Sequence, residues 1–366
     1  MADAPLLSSP SLSPSELSSM LQGSLQLHQF FLNPDERPQV AYDQFQEEDE
    51  LPVIDLGIIR SESYDDKTDC LRKLVRACKE WGFFRLVNHG LPVELIREMD
   101  TKARKVFNLP SQAKLQIHDP EETGYGYNSG SQDGYNFQGY WHEALRFQGD
   151  SKIRKDFVET TIPPDVDNFG VTLEEYMDSM EKLAKEVATH LAVALGLPSG
   201  SFSDACKGLL MRFNHYPACP QPLSTLGLLS HLDGFVLTII HEDHVGGLQI
   251  LKQLKQQQQE DEWISVRPQF GSFIVNVGDI LQVWSNEILT SVLHRVVVNN
   301  KCSRLSMAYF LGPEPTSIIQ PEPKLASDEH PLVKFRAFTF EDYFKTATKL
   351  KFRGTLDSFR LTHGSH

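Results

Sequence analysis

The spacing of apolar residues changes character near residue 209. Before it, the spacing is helical. In 67–81, Leu71, Leu74, Val75 and Cys78 fall on one stripe, and 93–107 repeats the pattern until Leu109-Pro110 stops it. The clearest helix is predicted to begin at Thr172, with Glu175 completing a capping box. It carries Tyr176, Met177, Met180, Leu183, Ala184, Val187 and Leu191 inward before Gly196 and Pro198 end it. Earlier still, Leu-Pro-Val-Ile-Asp-Leu from Leu51 reads as a first strand. Beyond 209 the apolar segments are short, β-branched or aromatic, and parted by Pro, Gly, Asn or charged turns. They lie near 209–216, 235–241, 248–251, 263–266, 272–277, 280–284, 291–298 and 304–310. So many short strands in about a hundred residues predict a mainly β domain, a sandwich or barrel of the jelly-roll type, flanked by the earlier helices. The Gln-rich stretch 253–262 reads as a solvated loop, and 123–139, crowded with Gly, Tyr, Asn and Ser, as an adaptable one.

Composition narrows the possible partners. The 366 residues carry 35 basic against 49 acidic side chains, a formal net charge of −14, which disfavours a nucleic-acid backbone or an anionic membrane face. No apolar run reaches the length of a membrane span. The 5 cysteines contain no Cys-x-x-Cys pair, so neither a disulfide framework nor a thiolate zinc site is indicated. The start of the chain lacks a basic segment followed by a continuous apolar one, which argues against a secretory signal; Asp3, Glu16 and the absence of Arg before Arg37 argue against a transit peptide. A cytoplasmic monomer is expected. The expected organisation is a partly disordered leader over 1–50, a helical region over 51–205 packed on the core, and a jelly-roll domain over 206–366 ending in a helix that starts near Thr339.

Candidate chemistry lies in the β-rich half. His231-Leu232-Asp233 places an imidazole and a carboxylate two residues apart, hence on one face of an extended backbone. A third ligand would come from His294, predicted to lie across a barrel from the pair. Two His and one carboxylate on one triangular face suit non-haem Fe(II). A second His-x-Asp, His241-Glu242-Asp243, is read as an exposed turn and a decoy, although spacing alone does not separate the two. Arg304 and Ser306 share a face of an otherwise apolar strand. An inward Arg needs an anion, either the far carboxylate of a small diacid or a structural Asp or Glu. Asn214 and Tyr216 likewise share a face, as donors to a ligand carboxylate or as members of a buried network.

Taken together these segments resemble the plant 2-oxoglutarate- and iron(II)-dependent dioxygenases. The resemblance runs through Leu-Pro-Val-Ile-Asp-Leu at 51, Cys-Lys-Glu-Trp-Gly-Phe-Phe-Arg-Leu-Val-Asn-His-Gly at 78 and Asn-His-Tyr-Pro-Ala-Cys-Pro-Gln-Pro at 214. It continues through His-Leu-Asp at 231, Gly-Gly-Leu-Gln at 246, Asn-Val-Gly-Asp at 276, His294 and Arg-Leu-Ser at 304. It implies a double-stranded β-helix (jelly-roll) core. It also implies His231, Asp233 and His294 as iron ligands, and Arg304 and Ser306 as holders of the distal carboxylate of 2-oxoglutarate, with Tyr216 and Asn214 assisting. Ascorbate would be supportive, dioxygen and a small molecule the other reactants, and His89 structural. Leu232 stands where the family usually has Thr and should face away from the metal. Because Asp233 is retained, hydroxylation, desaturation or demethylation is implied over halogenation.

The substrate is less legible. By resemblance Phe137, Trp141, Glu143, Phe235, Phe310 and the C-terminal helix should surround it, with plain packing more natural for Phe235 than for Trp141. The C-terminal half is most similar to gibberellin oxidases, which makes a gibberellin-type diterpenoid acid the first expectation, ahead of alkaloid, steroid, phenylpropanoid or auxin substrates. Two other readings compete: a same-fold oxidase that uses ascorbate without 2-oxoglutarate, and a jelly-roll binding protein with no catalysis.

Overall fold

A computed structural model of the chain describes residues 14–19, 30–39, 41–45, 50–117, 125–129, 140–149, 151–252, 261–325 and 333–361. Phe137, most of the predicted 123–139 loop and most of the Gln-rich loop lie outside these residues.

Twelve strands form the two sheets around the cavity described below. In chain order they are β1 (Val53–Asp55), β2 (Phe83–Val87), β3 (Gly126–Ser129), β4 (Glu143–Gln148), β5 (Cys206–Tyr216), β6 (Leu228–His231), β7 (Leu237–Glu242), β8 (Leu248–Lys252), β9 (Glu262–Ser265), β10 (Phe273–Val277), β11 (His294–Val296) and β12 (Arg304–Pro313). The larger, 8-stranded sheet runs β1-β2-β10-β7-β12-β5-β4-β3 and the smaller, 4-stranded one β6-β11-β8-β9. Among the described residues only β1 and β2 pair in parallel within them; the other strand pairs are antiparallel. Strands from the first half of the chain thus close both edges of the larger sheet.

Period-two alternation assigns the two faces of that sheet. On β12, Leu305, Met307, Tyr309 and Leu311 join the core formed with the helix Phe169–Ala194, while Arg304, Ser306, Ala308 and Phe310 face a cavity. The neighbours follow the same rule: Met211 and Phe213 against Asn214 and Tyr216 on β5, Leu237 and Ile239 against Thr238 and Ile240 on β7. Because both faces are covered, β12 is buried along its whole length.

Three sequence expectations change. The apolar run at 280–284 is helical, Asp279–Trp284; a short run with both faces buried carries no period that separates strand from helix. The strand expected over 291–298 contracts to β11, because the Ser291 N–H bonds the Gln282 side chain instead of a strand. The long helix starts one turn early, at Phe169 after Asn168 with φ +51°, and Thr172 does not cap it: its hydroxyl donates to Glu98. The helices Tyr64–Glu80 and Val93–Phe107 stand where the periodicity placed them. So does the C-terminal helix Phe340–Lys349, whose Thr339 and Asp342 form a capping box. Within the expected leader, Phe30 packs on Trp141, and Leu32 on Leu226 and Val297.

Candidate active site

Between the sheets lies a cavity of about 730 Å³, within the range of small-molecule sites. At its floor, β6 and β11 pair antiparallel with His231 directly opposite His294. The two histidines are therefore neighbours in one sheet, not residues facing each other across a barrel, and their rings stand 4.2 Å apart. Asp233 does not share a strand face with His231 either: β6 ends at His231 and the backbone turns. The turn is held by the Asp279 N–H donating to the Asp233 carbonyl (2.8 Å) and the Leu232 N–H donating to the Phe352 carbonyl (3.1 Å). Gly234 has a steric reason, since a Cβ there would meet the Tyr343 ring at 2.4 Å. Leu232 itself lines the cavity.

The three side chains are held ready for a cation. Asp233 Oδ2 accepts from Thr238 Oγ1 (2.6 Å) and Asn276 Nδ2 (2.8 Å). That leaves Oδ1 at 3.7 Å from His231 Nε2 and 3.8 Å from His294 Nε2. Both Nδ1 atoms face carbonyls, of Leu229 at 2.8 Å and Val292 at 3.2 Å, so each Nδ1–H donates and each Nε2 lone pair points inward. Burial, reinforced by His294, pushes His231 down to about 3, which keeps it neutral. Burial opposes ionisation of Asp233, but the positive charge that a protonated imidazole beside it would carry and its two hydrogen bonds outweigh it and hold the carboxyl below its ordinary value. Among the described residues this is the only cluster of three such groups able to hold a metal ion, and its donor set suits Fe(II).

On the opposite wall, register brings the remaining predicted groups together: Arg304 opposite Tyr216, Ser306 opposite Asn214. The Arg304 guanidinium lies 5.0 Å from the Tyr216 ring centroid, and Nη2 lies 2.5 Å from Glu242 Oε1. Its Nε and Nη1 are buried without a hydrogen-bond partner, as is Asn214 Oδ1. Gly247, at φ +119°, packs against the chain just beyond β11, where a Cβ would meet the Val297 carbonyl oxygen at 2.6 Å. The structural-carboxylate reading of Arg304 is thus met on one side of the guanidinium and open on the other.

The expected substrate wall divides. Phe235 and Phe310 line the cavity, ring centroids 4.8 Å apart. Trp141 does not: it is fully buried, donates to the Pro217 carbonyl and packs on Phe30 and Tyr216, so packing is its role, whereas Phe235 packs against the core and also lines the cavity. Glu143 is also absent from the wall. Its β4 face points away from the cavity, into a buried pair with Lys114 (3.0 Å) and His215, which, against the opposing effect of burial, hold its carboxyl down to about 2. His89 is buried and accepts from the Leu91 N–H, as a structural residue would. Sequence reasoning missed Thr238 and Asn276, whose signal was a polar side chain inside an apolar strand. It also missed Arg146 and Arg212, opposite one another on β4 and β5, and the wall formed by Phe344, Phe352 and Arg353.

Residues 207–313 match the profile of the 2OG-Fe(II) oxygenase superfamily, and residues 51–164 match that of the non-haem dioxygenase in morphine synthesis N-terminal region. The chain belongs to the 2OG-Fe(II) oxygenase superfamily. This oxygenase is 33% identical to flavanone 3-dioxygenase of Petroselinum crispum over 91% of its own length and 88% of that protein's. It is 33% identical to gibberellin 2-beta-dioxygenase 8 of Arabidopsis thaliana, over 81% and 82%. Among solved structures it is similar to JOX2 in complex with 2OG, Fe and JA: TM-score 0.78 and 28% identity, covering 96% of this chain and 98% of that one. Another is the rice dioxygenase for auxin oxidation, at TM-score 0.72 and 31% identity, over 85% and 100%. The oxygenase is an Fe(II)- and 2-oxoglutarate-dependent enzyme of the plant type with a jelly-roll core. No helix among its described residues is long and apolar enough to cross a membrane.

Proposed function

We propose that His231, Asp233 and His294 hold the Fe(II), and that Arg304 and Ser306, with Tyr216 and Asn214 beside them, hold the distal carboxylate of 2-oxoglutarate. The oxygenase then hydroxylates or desaturates an apolar metabolite that carries a carboxylate, a gibberellin-type diterpenoid acid being the leading case. The observation that supports this most directly is Arg304: a permanent cation with two nitrogens, Nε and Nη1, that lack a hydrogen-bond partner, on the cavity that also contains the three-ligand cluster.

Bound Fe(II) supplies dioxygen activation, one oxygen atom entering succinate as 2-oxoglutarate loses carbon dioxide and the other entering the alcohol or leaving as water. The chain's own residues provide placement. Charge-assisted bonds from Arg304 fix the distal end of the cosubstrate and so set the direction of its keto acid. Thr238 and Asn276 fix which carboxylate oxygen of Asp233 faces the site. Phe235, Phe310 and Phe344 keep water from the reacting end and favour an apolar skeleton.

A charged substrate group is favoured by the remaining wall. Arg146 and Arg212, opposite one another on neighbouring strands, line the cavity together with Lys351 and Arg353, which gives that part of the wall a positive character. The gibberellin-acting relatives agree with this, while the flavanone-acting relative makes an uncharged flavonoid the alternative outcome. The test is a mass-spectrometric screen of terpenoid acids, other plant hormones and flavanones with 2-oxoglutarate. A product gaining one oxygen or losing two hydrogens, with one succinate per turnover, is expected from a carboxylated substrate. Turnover with ascorbate and no 2-oxoglutarate would replace the reading with the oxidase one; turnover confined to flavanones would remove the carboxylate.

A further inference from the structure

A carboxylate of the chain already sits on the guanidinium assigned to the cosubstrate. Glu242 ends β7 and stands directly opposite Ser306 of β12, so alternation turns it to the cavity face with Thr238 and Ile240. Its Oε1 lies 2.5 Å from Arg304 Nη2, with the side chains 5% and 3% exposed. The neighbouring charges are engaged elsewhere. Asp243 faces the opposite side, accepting from Arg104 (2.9 Å) and the Leu305 N–H (2.7 Å). Arg85, the other cation that feels Glu242, donates to Ser272 and to the Arg267 carbonyl.

We propose that Glu242 is a positioning residue that competes with 2-oxoglutarate for Arg304. The inference rests on the proposed role of Arg304. A lone guanidinium in a buried pocket is costly, and Glu242 offsets that cost while no cosubstrate is bound. When the distal carboxylate of 2-oxoglutarate reaches the guanidinium donors that Glu242 leaves open, two anions share one cation in a poorly screened site, and their repulsion weakens the complex. Removing the Glu242 charge relieves that repulsion in the complex, while the lost attraction to Arg304 is common to the free and bound protein and leaves the affinity unchanged. The consequence is a raised cosubstrate requirement, so that turnover follows 2-oxoglutarate supply over a higher concentration range.

Calorimetric titration of the anaerobic, Fe(II)-loaded protein tests this. Glu242→Gln is expected to tighten 2-oxoglutarate about tenfold, the scale of a like-charge contact at an intermediate dielectric. It should leave 2-oxopentanoate, which lacks the distal carboxylate, unchanged. Arg304→Met should weaken 2-oxoglutarate and leave 2-oxopentanoate nearly unchanged. If Arg304→Met leaves the affinity untouched, the cosubstrate site itself is misplaced. If it weakens binding while Glu242→Gln fails to tighten it, the competition alone is overturned. Glu242→Ala, with space for water, carries the same sign should the Gln variant not fold; failure of both to fold would make the pair purely structural and end the proposal.

Discussion

Two segments of this oxygenase read His-x-Asp ten residues apart, and their fates differ completely. At His231-Leu232-Asp233 the strand stops at the imidazole, the chain turns, and the carboxylate swings towards a second imidazole delivered by β11. At His241-Glu242-Asp243 the strand runs on through Glu242, so alternation sends His241 to the helix-packed face, 6.1 Å from the Phe273 ring, and Glu242 to the other face, where it meets Arg304. Asp243 then serves Arg104 and the backbone N–H groups of Val245 and Leu305. The second segment forms no three-group cluster able to hold a metal among the described residues, and it is not the exposed turn that the sequence suggested. A spacing of two yields ligands only where a partner strand brings a third donor and the other polar atoms are already satisfied.

The contrast can be broken by substitution. His231→Ala should abolish Fe(II) retention and lower turnover by more than about 100-fold, beyond the usual cost of removing an outer-sphere partner. Iron content after gel filtration, with the melting temperature preserved, checks it; retained iron would place the metal on other residues. Asn276→Ala removes one of the two bonds that aim Asp233 and should weaken Fe(II) binding by about 10- to 100-fold, read by competition with a chelator. Asp243→Asn should leave iron binding intact yet cost about 2 kcal/mol of stability in denaturant unfolding, since it loses a charge-assisted acceptor for Arg104. His241→Ala is expected to do least: turnover within about twofold and a stability change of about 1 kcal/mol or less.

Much of this was readable without coordinates, for identifiable reasons. Alternation on the 304–310 strand told Arg304 and Ser306 apart from Leu305 and Met307, because a strand covered on both faces tolerates a buried guanidinium only with a use for it. Helical periodicity placed the helix Val93–Phe107, whose single buried stripe is a local property. Where local order was absent, prediction went astray. The run at 280–284 is apolar on every side, so neither period applied. Trp141 and Phe235 are both large aromatics near polar residues, and only the docking of Phe30 against one and Phe310 against the other separates core from cavity.

What the residues settle without coordinates is the inventory: two imidazoles, a carboxylate, a guanidinium and a hydroxyl, each on a segment whose period says which neighbours share its face. Partnership required the folded chain. The facing of His294 to His231, of Glu242 to Arg304, and of Arg146 to Arg212 depends on strand register across large sequence separations. Register is chosen by the burial of whole faces at once, a cooperative quantity that no single segment contains.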